Sequence, residues 1–157
     1  MGRLPLLEVD GKQIGQSKSI EKYIAKQCGL FGSNDIESAL IDMVTEHIRD
    51  IKQAYNDAKA GKKGDELNAA KTEFVTNPEK LPLWISKLES TLSGDGYAIG
   101  SNLSIADVSI YSFICEFFDD KEGALAAASS SPKVLNSCEK VKVAAASYLA
   151  TRPVTAI

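Results

Sequence analysis

The chain has 157 residues, 44% of them hydrophobic and 25% charged, proportions of an ordinary globular protein with room for one sizeable core. A net charge of −3 and a pI near 5.2, with lysines scattered among acids, give no basic field for nucleic acid. No apolar run approaches the roughly 20 residues that span a bilayer, and Met1 to Pro5 lacks the apolar segment of a signal peptide; the expectation is a cytoplasmic protein without a membrane partner.

The first segment predicts a β-hairpin led by Pro5, with strands at Leu6 to Val9 and Lys12 to Ile14 around an Asp10-Gly11 turn. Gln16-Ser17 follows, and then an apolar-periodic run, Ile20, Tyr23, Ile24 and Cys28, which Gly29 closes. The unpaired N–H groups and positive dipole end of that helix stand beside a Ser hydroxyl and a Gln amide, a setting for a small carboxylate. A lone hairpin is marginal in water, so the apolar surface around Leu4, Leu6, Leu7 and Val9 calls for a covering partner chain or leaves this segment disordered.

After a linker, Gly29-Leu30-Phe31-Gly32, the sequence reads helical throughout. Asn34 as N-cap and Glu37 three residues on resemble a capping box, and apolar positions from Ile36 to Ala58 define a long bundle helix that Gly61-Lys62-Lys63-Gly64 stops. A second helix runs from Asp65 to Val75 and breaks at Asn77-Pro78; a third starts near Leu81-Pro82 and carries Leu83, Trp84, Leu88 and Leu92. Gly94-Asp95-Gly96 predicts a turn and Tyr97 to Gly100 a short extended link. Ser104 and Asp107 then form a capping box, with Leu103 and Val108 as a hydrophobic staple. The helix from Ile105 to Phe118 is apolar nearly all round and should lie at the centre of the bundle. Ala124 to Ser131 reads as a loop, Pro132 opens a helix carrying Val134, Leu135, Cys138 and Val141, and a short last helix ends near Tyr148-Leu149.

Cys28, Cys115 and Cys138 are odd in number and far apart, with no C-x-x-C pair, so neither a disulfide framework nor a metal site is expected; they read as buried free thiols, Cys28 being nearest to exposure. His47 lies on the apolar stripe of the long helix without a second ligand or nucleophile near it in sequence, and reads as an interface or core residue. Arg49, Lys52, Lys62 and Lys63 read as solvated charges.

The segment from Leu4 to Ser17 closely resembles the glutathione-binding segment of cytosolic glutathione transferases, and its wording Leu-Glu-Val-Asp-Gly followed by Gln-Ser is similar to the sigma class. Gly100, Ser104 and Asp107 match in order the family's Gly-x3-Ser/Thr-x2-Asp signature. The resemblance implies a mainly α protein: a partial thioredoxin-like remnant, hairpin plus helix, in residues 1–29, and an all-helical bundle in residues 33–157. It implies a cis peptide before Pro5, so that Leu4 pairs through its backbone with the cysteinyl part of glutathione. Gln16 and Ser17 would hold the γ-glutamyl carboxylate, and Asp50 would reach across a homodimer to the partner's γ-glutamyl ammonium. Ser104 and Asp107 are structural. Glutathione is a co-substrate and no cofactor is tightly bound; the second substrate is a small electrophile. The family's thiolate-activating tyrosine lies in a strand-helix-strand unit preceding this segment, and none of Tyr23, Tyr55, Tyr97, Tyr111 and Tyr148 replaces it, so no catalytic residue is assigned. The expected activity is that of a truncated transferase, inactive or weakly active as it stands; the alternative is a non-catalytic, crystallin-like or assembly module.

Overall fold

The structure, a computed structural model, describes residues 4–93 and 95–153. It opens with β1 (Leu6–Val9) and β2 (Lys12–Gly15), antiparallel, in the register Leu6 to Gly15 and Val9 to Lys12. Asp10 at φ 50° and Gly11 at φ 71° make the turn; two consecutive positive φ values match the right-handed twist of the strands they join. Helix α1 (Ser17–Gln27) follows and packs back against both strands. Leu4 is 91% and Leu6 42% exposed, so part of the hairpin's apolar surface faces outward.

The linker is held at both sides. Ile105 N–H donates to Leu30 C=O at 2.8 Å, and Ser38 Oγ donates to Phe31 C=O at 2.7 Å. Gly32 adopts φ +81°, and a Cβ there would come within 2.8 Å of Glu37 Cβ and 2.9 Å of Ser38 N, so this crossing has no room for a side chain. Helix α2 (Asp35–Lys59) is capped by Asn34, whose side chain accepts from Glu37 N–H at 2.9 Å. The reciprocal half of the expected capping box is displaced by one residue: Glu37 accepts from Ser33 N–H at 2.8 Å and Ser33 Oγ at 2.7 Å.

Helices α3 (Gly64–Thr76), α4 (Leu81–Thr91), α5 (Ile105–Ser112), α6 (Lys121–Ala127), α7 (Pro132–Ala144) and α8 (Ala146–Thr151) complete the bundle. Ile41, Val44, Ile48 and Ile51 of α2, Ile85 and Leu88 of α4, Ile110 of α5 and Val134 of α7 form a continuous core. The protein is thus mostly helical, with a small hairpin-plus-helix unit ahead of an all-α bundle, and among the described residues no helix is long and apolar enough to cross a membrane.

Three local expectations change. The central apolar segment is not one α-helix: α5 ends at Ser112 and Phe113–Phe117 form a π-helical turn. That wider turn seats Phe113, Phe117 and Phe118 in one aromatic cluster with Tyr55, whose ring centroid lies 5.0 Å from that of Phe118 and 5.6 Å from that of Phe117. The Ala/Ser-rich stretch is not all loop, because Asp120 accepts from Gly123 N–H at 2.8 Å and starts α6. The link at Tyr97 to Gly100 is bent, stitched by Ser93 N–H to Ala98 C=O and Asp95 N–H to Gly100 C=O, both 3.2 Å; Gly94 of the expected turn lies outside the described residues.

Asp107 is wholly buried at the centre of this framework. It completes the capping box through Ser104 N–H at 3.0 Å and Ser104 Oγ at 2.9 Å, and also accepts from Ala98 N–H and Ser137 Oγ, both 2.7 Å. One carboxylate therefore joins the start of α5, the preceding link and α7. Glu89 of α4 caps α7 in a similar way, accepting from Lys133 N–H at 3.1 Å and Val134 N–H at 2.9 Å.

Candidate functional site

The hairpin register sets the first site residues side by side. Leu6 pairs with Gly15, so Pro5, just before β1, lies beside Gln16, just after β2. The Leu4–Pro5 peptide is cis. Gln16 is the cap residue of α1, with φ 69° and ψ 119°, and Ser17 is the first helical residue, so the cap falls on Gln16 and not on the serine. Gln16 C=O accepts from Ile20 N–H at 3.1 Å, but its side chain makes no cap hydrogen bond, and no acid stands in the first turn. Gln16 and Ser17 are exposed. An eleven-residue helix thus presents free N–H groups and its positive dipole end between two polar side chains, and can hold a carboxylate.

Asp50 stands apart from this group, exposed on α2 and in no ion pair among the described residues. Ser104 and Asp107 belong to the buried junction of α5 and α7. His47 is half-buried, its ring centroid 5.4 Å from that of Trp84 and its Nε2 3.5 Å from Trp84 C=O. Tyr55 is buried among phenylalanines. Of the cysteines, Cys138 is buried, Cys115 half-buried and Cys28 exposed; the Cys138 thiol beside Cys115 draws the latter's pKa down to about 7.

Next to the start of α1 a cleft of about 240 Å³ opens between α1, α2 and α5, lined by Lys18, Glu21, Arg49, Lys52, Val108 and Ser109 among others. A second, of about 390 Å³, adjoins it through Ser112 and is lined by Tyr55, Phe117, Lys59, Lys71, Glu116 and Asp119. Lys52 is not the solvated charge expected from the sequence. It is half-buried, and desolvation, together with the nearby Lys18 charge, holds its pKa below the usual lysine value against the opposing effect of Glu21. The signal for this was present: Lys52 is four residues from Ile48 and seven from Thr45, on a face of α2 that those two residues bury.

Comparison with known proteins bears on this architecture. The profile "Glutathione S-transferase, C-terminal domain" matches residues 49–152. A probable glutathione S-transferase 6 of Caenorhabditis elegans is 29% identical over 97% of this chain and 75% of its own length. Glutathione S-transferase S1 of Drosophila melanogaster is 36% identical over 69% of this chain, but only 43% of its own length is covered. Among solved structures, a monomeric glutathione S-transferase of the hookworm Necator americanus superposes with a TM-score of 0.78 at 29% identity, covering 99% of this chain and 77% of that one. With two thirds of its length matched by the profile and nearly all of it matched in fold, the chain belongs to the glutathione S-transferase family.

Proposed function

We propose that the chain binds glutathione by its γ-glutamyl carboxylate at the N-terminus of α1, as part of a sigma-like transferase that adds the glutathione thiolate to a small electrophile. The observation that carries this reading is the uncapped start of α1, where Gln16 and Ser17 stand beside Pro5 in a member of this family. In this reading Leu4 pairs through its backbone with the cysteinyl part, Gln16 and Ser17 supply amide, hydroxyl and N–H donors, and Asp50 serves the partner's site in a homodimer. The two parts divide after Gly29, with the bundle beginning at Ser33.

A thiol with a pKa near 8.5 is mostly protonated at neutral pH, so conjugation needs a donor aimed at sulfur. Tyr55 is enclosed by Phe74, Phe117 and Phe118, and Tyr97 lies beneath Lys140. In this proposal the described tyrosines do not ionise the thiol, and the residues in hand supply the tripeptide grip. Calorimetric titration with glutathione tests the grip: saturable binding weakened about tenfold by Ser17→Ala supports it, and no binding favours a non-catalytic module. Conjugation of an aryl halide, compared with a version of the chain extended upstream, tests the activity; equal rates would contradict the assignment of sulfur activation.

A further inference from the structure

We propose that Cys115 and Cys138 form a redox pair, in which a peroxide oxidises Cys115 and Cys138 then closes the oxidised sulfur into an intramolecular disulfide. The proposal is independent of the glutathione reading. Cys115 stands on the π-helical turn, Phe113–Phe117, and Cys138 on α7, and their thiols lie side by side. Bonds from the chain neighbour of each cysteine anchor this pairing. Glu116, next to Cys115, is clasped by Arg152 beyond α8, and Ser137, next to Cys138, donates to the buried Asp107 of α5 at 2.7 Å.

The two sulfurs differ in what reaches them. Cys138 is 2% exposed within the core, whereas Cys115 packs against that core and is half-buried, so an oxidant meets Cys115 first. The Cys138 thiol, as hydrogen-bond donor, favours the Cys115 thiolate, and the Lys142 ammonium on α7 adds to this against burial and the charges of Glu116 and Glu139. Thiolate is the form that attacks. With hydrogen peroxide, the Cys115 thiolate takes one peroxide oxygen: an S–O bond forms, the O–O bond breaks, and the hydroxide released recovers the proton the Cys115 thiol lost, giving sulfenic acid and water. The Cys138 sulfur then attacks the Cys115 sulfur. The S–S bond forms, the S–O bond breaks, and the departing hydroxide takes the Cys138 proton as a second water. Two electrons pass from the thiol pair to the peroxide, and the π-helical turn becomes tied covalently to α7.

The test is oxidation of the dilute, fully reduced chain with hydrogen peroxide, without glutathione, followed by alkylation of the remaining thiols, proteolysis and mass spectrometry. Cys28, exposed just past α1, is the internal reference. The expected result is a Cys115–Cys138 cross-link within one chain, the loss of two hydrogens in the intact mass, and reversal by dithiothreitol, with Cys28 still open to alkylation. In Cys138→Ala, peroxide should instead leave a sulfenic acid on Cys115 that dimedone traps and that the parent chain does not accumulate. Cys115 and Cys138 both still alkylated under peroxide that oxidises Cys28 would overturn the proposal. Sulfinic acid on Cys115 with Cys138 free in the parent chain, or a disulfide from either to Cys28, would overturn it equally. These outcomes are read on the parent chain, so they hold even where Cys138→Ala fails to fold.

Discussion

Gln16 holds a backbone conformation, φ 69° and ψ 119°, that a residue with a Cβ rarely adopts. Such a conformation costs on the order of 1–3 kcal/mol, and glycine would relieve it at an entropic cost of about 1 kcal/mol. Gln16→Gly should therefore melt at the same temperature as the parent chain or slightly higher, while binding glutathione at least about tenfold more weakly for want of the amide. A lower melting temperature would show that the Gln16 side chain serves the fold. Asp107 is the opposite case, wholly buried and accepting from groups at the start of α5, the preceding link and α7. Asn in its place keeps the shape but cannot accept from Ser104 N–H, Ser104 Oγ, Ala98 N–H and Ser137 Oγ together. Leaving buried donors unpaired should cost about 2–4 kcal/mol, read as a shifted urea midpoint, with glutathione affinity intact in the folded fraction.

Among the elements, the π-helical turn and the end of α8 are joined by an ion pair. Arg152, just past α8, clasps the Glu116 carboxylate, with Nη1 3.2 Å from Oε2, and that hydrogen bond holds the Glu116 pKa below the usual carboxylate value. A depressed carboxylate contributes stability above its unfolded pKa of about 4.3, and loses it as pH falls through the folded value. The stability gap between the parent chain and Arg152→Gln should thus be full near pH 7 and close towards about pH 3; a gap independent of pH would rule out the ion pair as its source. Elements marked by turn and cap chemistry were legible in the sequence. Asp10-Gly11, Asn34, the Ser104-Asp107 box and Pro132 announce their roles through local hydrogen bonding or fixed φ, which need no tertiary information. The π-helical turn was not, because a segment apolar nearly all round, Phe113-Ile114-Cys115-Glu116-Phe117, carries no periodic stripe from which a change of pitch can be read. Helix α6 was hidden because its Ala-rich end runs on into Ser129-Ser130-Ser131, although Asp120 three residues before Gly123 N–H was a usable sign. The cleft's Lys52 was legible only as a position on α2, since its surroundings come from α1, α5 and the π-helical turn.

For the whole molecule, the surface left apolar bears on assembly. Ile36 is 73% and Met43 43% exposed on one side of α2, one helical row apart with Leu40 between them. In the homodimer proposed above this row is the contact, and Ile36→Glu should shift sedimentation from dimer to monomer without lowering the melting temperature. A parent chain that sediments as a monomer would remove the dimer, and with it the role given to Asp50. The hairpin runs directly into the uncapped start of α1, and glutathione is proposed to bind there. Titration of a 15N-labelled sample with glutathione addresses that claim residue by residue. Saturable amide shifts are expected at Leu4 and at Gln16 to Ser19, absent in Ser17→Ala at the same concentration; shifts missing from those residues, or centred elsewhere in the bundle, would rule out glutathione binding at this junction.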